Sequence, residues 1–108
     1  MALSKVINAN EASFDKIISQ AKKPVLVDFY ADWCGPCKML GPILDQLSKD
    51  FTDAYIIKIN IDDNQALAAK FTVRSVPTMI IFKNGKQVET IQGVVNQTHL
   101  EAKLKKYI

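Results

Sequence analysis

One abrupt change of pattern limits what this chain can fold into. Residues 25–30 form an apolar, β-branched and aromatic run that contains a single charged residue, Asp28, and this composition predicts a buried strand. Two cysteines follow, Cys34 and Cys37, and from Lys38 onward apolar residues recur at helical spacing. The chain is therefore predicted to pass from a central strand directly into a helix that begins at the cysteines. The expected buried stripe of that helix is Met39, Leu40, Ile43, Leu44 and Leu47.

The spacing of the cysteines predicts that they share one helical turn and lie within disulfide reach. Cys34 is at the N-terminal edge, where unpaired backbone N–H groups and the helix dipole favour a thiolate. Disulfide exchange needs an exposed thiolate that attacks and a second thiol that resolves the mixed disulfide. We therefore expect Cys34 to be the exposed nucleophile and Cys37, one turn further in, the shielded resolving thiol.

A structural staple and a metal site are both disfavoured as roles for the cysteine pair. The loop that a Cys34–Cys37 bond closes is too short to restrict the unfolded chain much, which argues against a staple. A structural zinc site takes four ligands, and the one histidine, His99, is far along the chain. Zinc or an iron–sulfur cluster would need two chains that share a site, so we predict no metal.

Two charged residues interrupt apolar strand patterns. Asp28 lies six residues before Cys34, and burial would raise its pKa and let it exchange a proton with Cys37, directly or through water. Lys58 lies in the run 54–61 and either faces Asp28, moderating that shift, or points outward at a sheet edge. The residues by themselves leave both positions of Lys58 open.

The remaining patterns alternate between strand and helix. The Asn84-Gly85 pair between two strand-like runs is the strongest short hairpin signal. The order β-α-β-α-β-α-β-β-α predicts an α/β fold with a mixed sheet. The further segments are strand 5–7, a helix capped by Asn8 or Asn10, strand 54–61, helix 65–71, strands 78–82 and 87–91, and helix 96–108.

Two details of the predicted helices can be checked directly. One of the residues 62–64 is expected to cap the short helix 65–71. The last helix is expected to bury Leu100, Leu104 and Ile108 and to be capped by Asn96 or by Thr98, which begins a capping-box pattern.

Composition excludes several classes of function. The formal net charge is +3, and the 14 basic residues include one arginine, so a nucleic-acid partner is not expected. The lysines at 103, 105 and 106 suit a helix C-terminus. Residues 1–5 contain no apolar targeting segment, and no run has membrane-spanning length. We expect one domain over residues 1–108, in the cytoplasm and away from membranes, where a C-x-x-C is more often catalytic than structural.

The segment Trp33-Cys34-Gly35-Pro36-Cys37-Lys38, with Asp28 before it, resembles the active site of the thioredoxin family. The resemblance extends almost end to end, because Lys58, Val76-Pro77-Thr78, residues 82–85 and Gly93 follow in the family's order and spacing. A bare C-x-x-C would be weak support, whereas this motif together with a downstream Val-Pro-Thr is highly specific.

The resemblance implies a thioredoxin-like fold, with a central mixed five-stranded sheet flanked by four helices. It implies a protein-disulfide reductase that binds no cofactor and carries a redox-active Cys34–Cys37 disulfide. The expected partners are disulfide-containing target proteins and a thioredoxin reductase that supplies electrons from NADPH through FAD. The chain itself is expected to be a monomer.

The resemblance also assigns roles around the cysteines. A cis peptide is expected before Pro77, and Gly35 and Pro36 are expected to shape the site. Proline at 36 offers neither a proton nor a charge to the Cys34 thiolate, which favours a reductase over an oxidase or isomerase. The expected docking surface is Trp33, Val76, Pro77 and Gly93.

The chain departs from the family pattern at two positions, and two different functions remain as alternatives. Tyr30 replaces the usual tryptophan, and Asn64-Gln65 replaces the usual Asn-Pro. One alternative is a disulfide isomerase or oxidase domain, which Pro36 and the lack of a targeting segment oppose. The second is a non-enzymatic thioredoxin-fold subunit, which the presence of both thiols opposes.

Overall fold

The structure, a computed structural model, describes residues 4–108. The predicted lack of a targeting segment falls in part on residues 1–3, outside the described residues. The elements are β1 (Ile7–Asn8), α1 (Glu11–Gln20), β2 (Val25–Tyr30), α2 (Gly35–Asp50), β3 (Tyr55–Asn60), α3 (Gln65–Lys70), β4 (Thr78–Lys83), β5 (Lys86–Gln92) and α4 (Gln97–Lys105). In the described range, no helix is long and apolar enough to cross a membrane.

The strands form one five-stranded sheet in the order β1-β3-β2-β4-β5. β1, β3 and β2 are parallel, and β4 and β5 run antiparallel to their neighbours. The predicted mixed sheet with four helices is confirmed. β2 lies at the centre, so the loop that follows it emerges in the middle of one edge of the sheet, and α2 begins there.

The two faces of the sheet carry separate cores. Leu26 of β2 packs with residues of α2 and α4, whereas Val25, Val27 and Phe29 pack with residues of α1 and α3. Side chains alternate between the faces of a strand. Asp28 therefore points to the same face as Leu26, beneath α2.

Turn chemistry at the β4–β5 hairpin follows the prediction. Asn84 and Gly85 have φ of 54° and 79°, the left-handed pair that a type I′ turn requires. Asparagine and glycine tolerate this conformation best.

Two residues expected in the core are exposed. Met39 is 66% exposed and Ile108 is 64% exposed. Met39 follows Lys38 on the outer side of α2, next to the active-site end of the helix. Ile108 lies beyond the last turn of α4, which ends at Lys105. The predicted apolar faces therefore include one exposed residue near the start of α2 and one beyond the end of α4.

The caps of α1 and α3 differ in part from the predictions. Asn10 caps α1 as one alternative predicted, since its side chain accepts a hydrogen bond from the Ser13 N–H. Asn64 occupies the N-cap position of α3, but its side chain does not cap that helix. Its Oδ1 accepts instead from the Glu11 N–H (2.9 Å), and the Glu11 carboxylate accepts from the Leu67 N–H (3.3 Å). The two helix starts therefore cap each other.

The C-terminal helix is capped by Asn96, whose side chain accepts from the His99 N–H (2.8 Å), so the capping box proposed at Thr98 is wrong. Two of the lysines near its end make ion pairs. Lys103 and Lys106 both pair with Glu89 of β5, at 3.4 and 3.7 Å, and the Tyr107 hydroxyl donates to the same carboxylate.

Candidate active site

The two cysteines form a disulfide at the start of α2, with their Cα atoms 5.3 Å apart. Cys34 is the N-cap residue, and its Sγ accepts a hydrogen bond from the Cys37 N–H (3.1 Å). Pro36 is in the first turn, where its missing N–H costs nothing. A thiolate at Cys34 would therefore keep a backbone donor and the positive end of the 16-residue helix α2.

The expected contrast in exposure between the cysteines is absent in the disulfide form. Cys34 is 4% exposed and Cys37 is 5% exposed. Both pack with Ala31, and Val76 and Ile61 lie against the same small cluster. Position at the helix start, rather than exposure, therefore distinguishes the two sulfur atoms.

Asp28 is fully buried beneath α2, as its strand position predicts. Neither carboxylate oxygen accepts a hydrogen bond from any residue in the described range 4–108. Burial raises the pKa of Asp28 from 3.8 to about 7, and the charge of Lys58 opposes that rise. The carboxyl group is therefore able to gain or lose a proton near neutral pH.

Lys58 lies on the same face of the sheet as Asp28. The two residues are directly paired in the parallel register of β2 and β3. Of the two positions that the sequence left open, the structure supports the inward one. Lys58 is half-buried, and its Nζ lies 4.5 Å from the centre of the Tyr30 ring.

An open cavity of about 280 Å³ lies between Lys58 and Cys37. Its wall includes Tyr30, Asp32, Cys37, Lys38 and Lys58. Cys37 and the lysine paired with Asp28 therefore face the same space. A larger cavity, about 410 Å³, lies elsewhere, beside Phe14 and Phe71, and has no cysteine in its wall.

Pro77 immediately precedes the strand on the other side of β2. The Val76–Pro77 peptide bond is cis, which confirms the expectation. Val76 packs on the cysteine cluster, and the Gly93 N–H donates to the Pro77 carbonyl (2.9 Å). Gly93 has φ of +83°, and a Cβ added there would meet no atom within 4 Å. The positive φ therefore favours glycine at position 93, and the space beside its Cα is open.

Trp33 is 69% exposed beside the disulfide, and its indole N–H donates to the Asp62 carboxylate (2.9 Å). Asp62 lies in the turn after β3. The Asn60 side chain holds this turn by accepting from the N–H groups of Asp62 (2.8 Å) and Asp63 (3.3 Å). Sequence reasoning missed Asp62 and Asn60 as neighbours of the site. The Asn-x-Asp-Asp pattern after a strand signals such a turn, but not its contact with Trp33.

The structure thus brings Cys34, Cys37, Trp33 and Val76 together at one end of the sheet, with Asp28 and Lys58 beneath α2. Gly35 and Pro36 form the first turn of α2 and are exposed. His99 is exposed at the start of α4. Among residues 4–108, no group of three or more His, Cys, Asp or Glu side chains could hold a metal ion.

A disulfide at the N-terminus of the helix that leaves the central strand of such a sheet defines a dithiol–disulfide oxidoreductase. The model of the family described as Thioredoxin matches residues 5–106. This chain belongs to the thioredoxin family, and with its redox-active cysteine pair it is a protein-disulfide reductase.

Known relatives are similar along nearly the whole chain. A thioredoxin of Haemophilus influenzae is 46% identical over 99 residues, which cover 91% of this chain and 92% of that protein. A chloroplastic M-type thioredoxin of Pisum sativum is 40% identical and aligns with 99% of this chain and 63% of its own length. The solved structure of a mutant thioredoxin from Halobacterium salinarum is 40% identical, with a TM-score of 0.89 over 95% of this chain and 90% of that one.

Proposed function

We propose that Cys34 attacks the disulfide of a target protein, that Cys37 resolves the resulting mixed disulfide, and that Asp28 accepts the Cys37 proton. The observation that carries this assignment is the position of Cys34 as the N-cap of α2, with its Sγ accepting the Cys37 N–H. Helix N-termini lower thiol pKa values and supply the thiolate that disulfide exchange needs.

In the first step, the Cys34 thiolate bonds to one sulfur of the target disulfide, and the other target sulfur leaves as a thiolate. In the second step, Cys37 gives its proton to Asp28, attacks the Cys34 Sγ and releases the second target sulfur. Two electrons pass to the target, and the Cys34–Cys37 disulfide forms. The pKa of about 7 at Asp28 suits this proton transfer near neutral pH.

The proposed docking surface surrounds the disulfide. Trp33 supplies a large exposed aromatic face, and the backbone of Val76, which packs on the cysteine cluster, would pair with an extended peptide. Pro77 holds Gly93 at the rim through their backbone hydrogen bond. Lys58 is proposed to modulate Asp28 from β3, and Gly35 and Pro36 to shape the turn that presents Cys34.

We also propose how the protein is used. A thioredoxin reductase, with FAD and NADPH on that enzyme, would regenerate the dithiol, and the protein would act as a monomer of one domain in the cytoplasm. Membership of the thioredoxin family supports the reductase and the disulfide targets. Pro36 supports electron donation, since it adds no group that would stabilise the Cys34 thiolate and make the disulfide more oxidising.

Insulin-disulfide reduction with dithiothreitol tests the catalytic assignment. The parent should accelerate the reaction, and Cys34→Ser should reduce it to the uncatalysed rate. Ser19→Ala, an exposed substitution on α1, is the matched control and should behave like the parent. Full turnover by Cys34→Ser would overturn the assignment of the nucleophile. Replacing dithiothreitol by NADPH and a thioredoxin reductase then tests the proposed electron donor.

A further inference from the structure

Tyr30 and Lys58 are diagonal neighbours on the face of the sheet that α2 covers. In the register of β2 and β3, Asp28 pairs with Lys58 and Tyr30 pairs with Asn60. Residues two apart on a strand share a face, so Lys58 lies opposite Asp28 and diagonal to Tyr30. A long side chain at position 58 can therefore reach toward either residue.

The lysine lies over the aromatic ring. Its Nζ is 4.5 Å from the Tyr30 ring centre, within the range of a cation–π interaction, whereas neither Asp28 oxygen accepts a hydrogen bond within the described part of the chain. Moving the ammonium fully against Asp28 would bury both charges beneath α2, which carries a large desolvation cost. Over the ring, the ammonium stays at the wall of the open cavity.

Tyr30 is suited to hold a cation because its own ring stays neutral. Burial raises the pKa of the Tyr30 hydroxyl, and the Asp32 carboxylate adds to that rise. The phenol is therefore protonated throughout the neutral range, and its π face remains available to Lys58.

We propose that Tyr30 is a positioning residue that fixes the Lys58 ammonium at its distance from Asp28 and so tunes proton transfer between Asp28 and Cys37. This inference rests on the proposed role of Asp28 as the proton acceptor. Without the ring, the Lys58 side chain would be free to extend into the cavity toward solvent, and its attraction for the Asp28 carboxylate would weaken.

The residues around Asp28 are consistent with a pKa that depends on Lys58. The residue paired with Asp28 on β4 is Met79, which is apolar. The cavity is lined by Cys37 and Lys38 of α2 and by Asp32 of the loop after β2. Asp63 lies in the turn after β3, and its charge raises the pKa of the Tyr30 hydroxyl. Lys58 is the charged group that lowers the pKa of Asp28 against the effect of burial.

The experiment is a carboxyl ¹³C NMR titration of Asp28 in the oxidised protein, where the cysteines do not titrate. Tyr30→Leu should raise the midpoint by about half a pH unit, a fraction of the one to three units by which a close opposite charge lowers the pKa of an acid. Tyr30→Phe and Tyr30→Trp keep a ring and should keep the parent midpoint. If Tyr30→Leu does not fold, Tyr30→Met replaces it as the variant without a ring.

The route through Lys58 is tested by a double-mutant cycle. In a Lys58→Met background, Tyr30→Leu should no longer move the midpoint, because the ammonium that the ring positions is gone. An equal shift in both backgrounds would mean that Tyr30 acts by covering Asp28 from water, and it would overturn the inference. So would an unchanged midpoint in Tyr30→Leu.

A rate measurement separates this inference from the proposed function. Single-turnover resolution of a mixed disulfide should show the same displacement of its pH profile in Tyr30→Leu. A shifted carboxyl midpoint with an unshifted rate profile would support positioning of Lys58 by Tyr30 and overturn the role of Asp28 as the proton acceptor.

Discussion

Asp28 is a carboxyl group buried in an otherwise apolar strand, and its ionisation costs stability in a way that depends on pH. Its pKa is raised from 3.8 to about 7 in the folded protein. For an acid with a raised folded pKa, the cost is absent at low pH, grows as pH rises above the unfolded value, and levels off above the folded one. A shift of about three pH units corresponds to about 4 kcal/mol at the plateau.

Replacement of Asp28 should therefore stabilise the oxidised protein more at pH 8 than at pH 5. For Asp28→Ala, we expect the change in unfolding free energy to be about 2–3 kcal/mol more favourable at pH 8. The cavity that alanine leaves costs the same at both pH values, so the difference isolates ionisation. Urea unfolding at the two pH values measures it, with the exposed Asp15→Ala as control. Equal changes at pH 5 and pH 8 would show that the carboxyl group is not held in a raised-pKa state.

The two sulfur atoms are equally buried, so their roles must be distinguished by trapping. Cys37→Ser should accumulate a covalent adduct with a disulfide-containing target, because the mixed disulfide at Cys34 cannot be resolved. Mass spectrometry of the peptide that carries the adduct identifies the sulfur. Cys34→Ser is the matched control and should accumulate much less. Adducts that form mainly through Cys37 in the control would reverse the assignment.

At the scale of elements, α1 and α3 depend on each other although 44 residues separate the last residue of α1 from the first residue of α3. Asn64, before α3, accepts the Glu11 N–H, and Glu11, in α1, accepts the Leu67 N–H. The Asn64 amide also donates to the Asn60 carbonyl (3.0 Å). Asn60 in turn holds the turn that presents Asp62 to Trp33. The joint cap is therefore continuous with the rim of the active site.

Removal of either cap residue should destabilise the protein. Asn64→Ala should cost about 1–3 kcal/mol, because it leaves the Glu11 N–H and the Asn60 carbonyl, both partly buried, without their partner. Glu11→Ala should cost about 1 kcal/mol, the usual loss for a helix cap. Chemical denaturation measures both, and Asp15→Ala on the exposed side of α1 is the control. A cost for Asn64→Ala no larger than that of the control would contradict the joint cap.

At the scale of the whole molecule, one strand joins two cores. β2 contributes Leu26 to the core beneath α2 and α4, and Val25, Val27 and Phe29 to the core beneath α1 and α3. Loss of either core would expose one face of the same central strand. The two faces are therefore expected to unfold together.

Substitution of a large core residue by alanine, in either core, should destabilise the whole protein in a single unfolding transition. Leu44→Ala on one face and Phe14→Ala on the other should each cost about 3–4 kcal/mol. Circular dichroism in the far and near ultraviolet should give the same midpoint for each variant. Met39→Ala is the control for Leu44→Ala, because it lies on the same helix and is exposed. Different far- and near-ultraviolet midpoints within one variant would show that the two faces unfold independently.

The order of the elements, the hairpin at Asn84-Gly85 and the helix that begins at the cysteines can all be predicted from the sequence. These features depend on contacts between residues close in the chain, namely the alternation of strands, the spacing of helices and the φ preferences of turns. The motif around Cys34 and the matching residues further along the chain also identify the resemblance to the thioredoxin family from the sequence.

Contacts between residues far apart in the chain depend on the folded structure. The partner of Lys58 depends on the register between β2 and β3, and the cap of α3 depends on a residue of α1, so neither could be derived from local pattern. The exposure of Met39 and Ile108 was missed because helical spacing identifies a face but not where the neighbouring elements stop covering it. Cys34 is buried in a cluster against which Ile61 and Val76 pack, and both residues approach from other parts of the chain. Each of these outcomes requires two segments to be brought together in space, and the sequence of one segment does not contain that information.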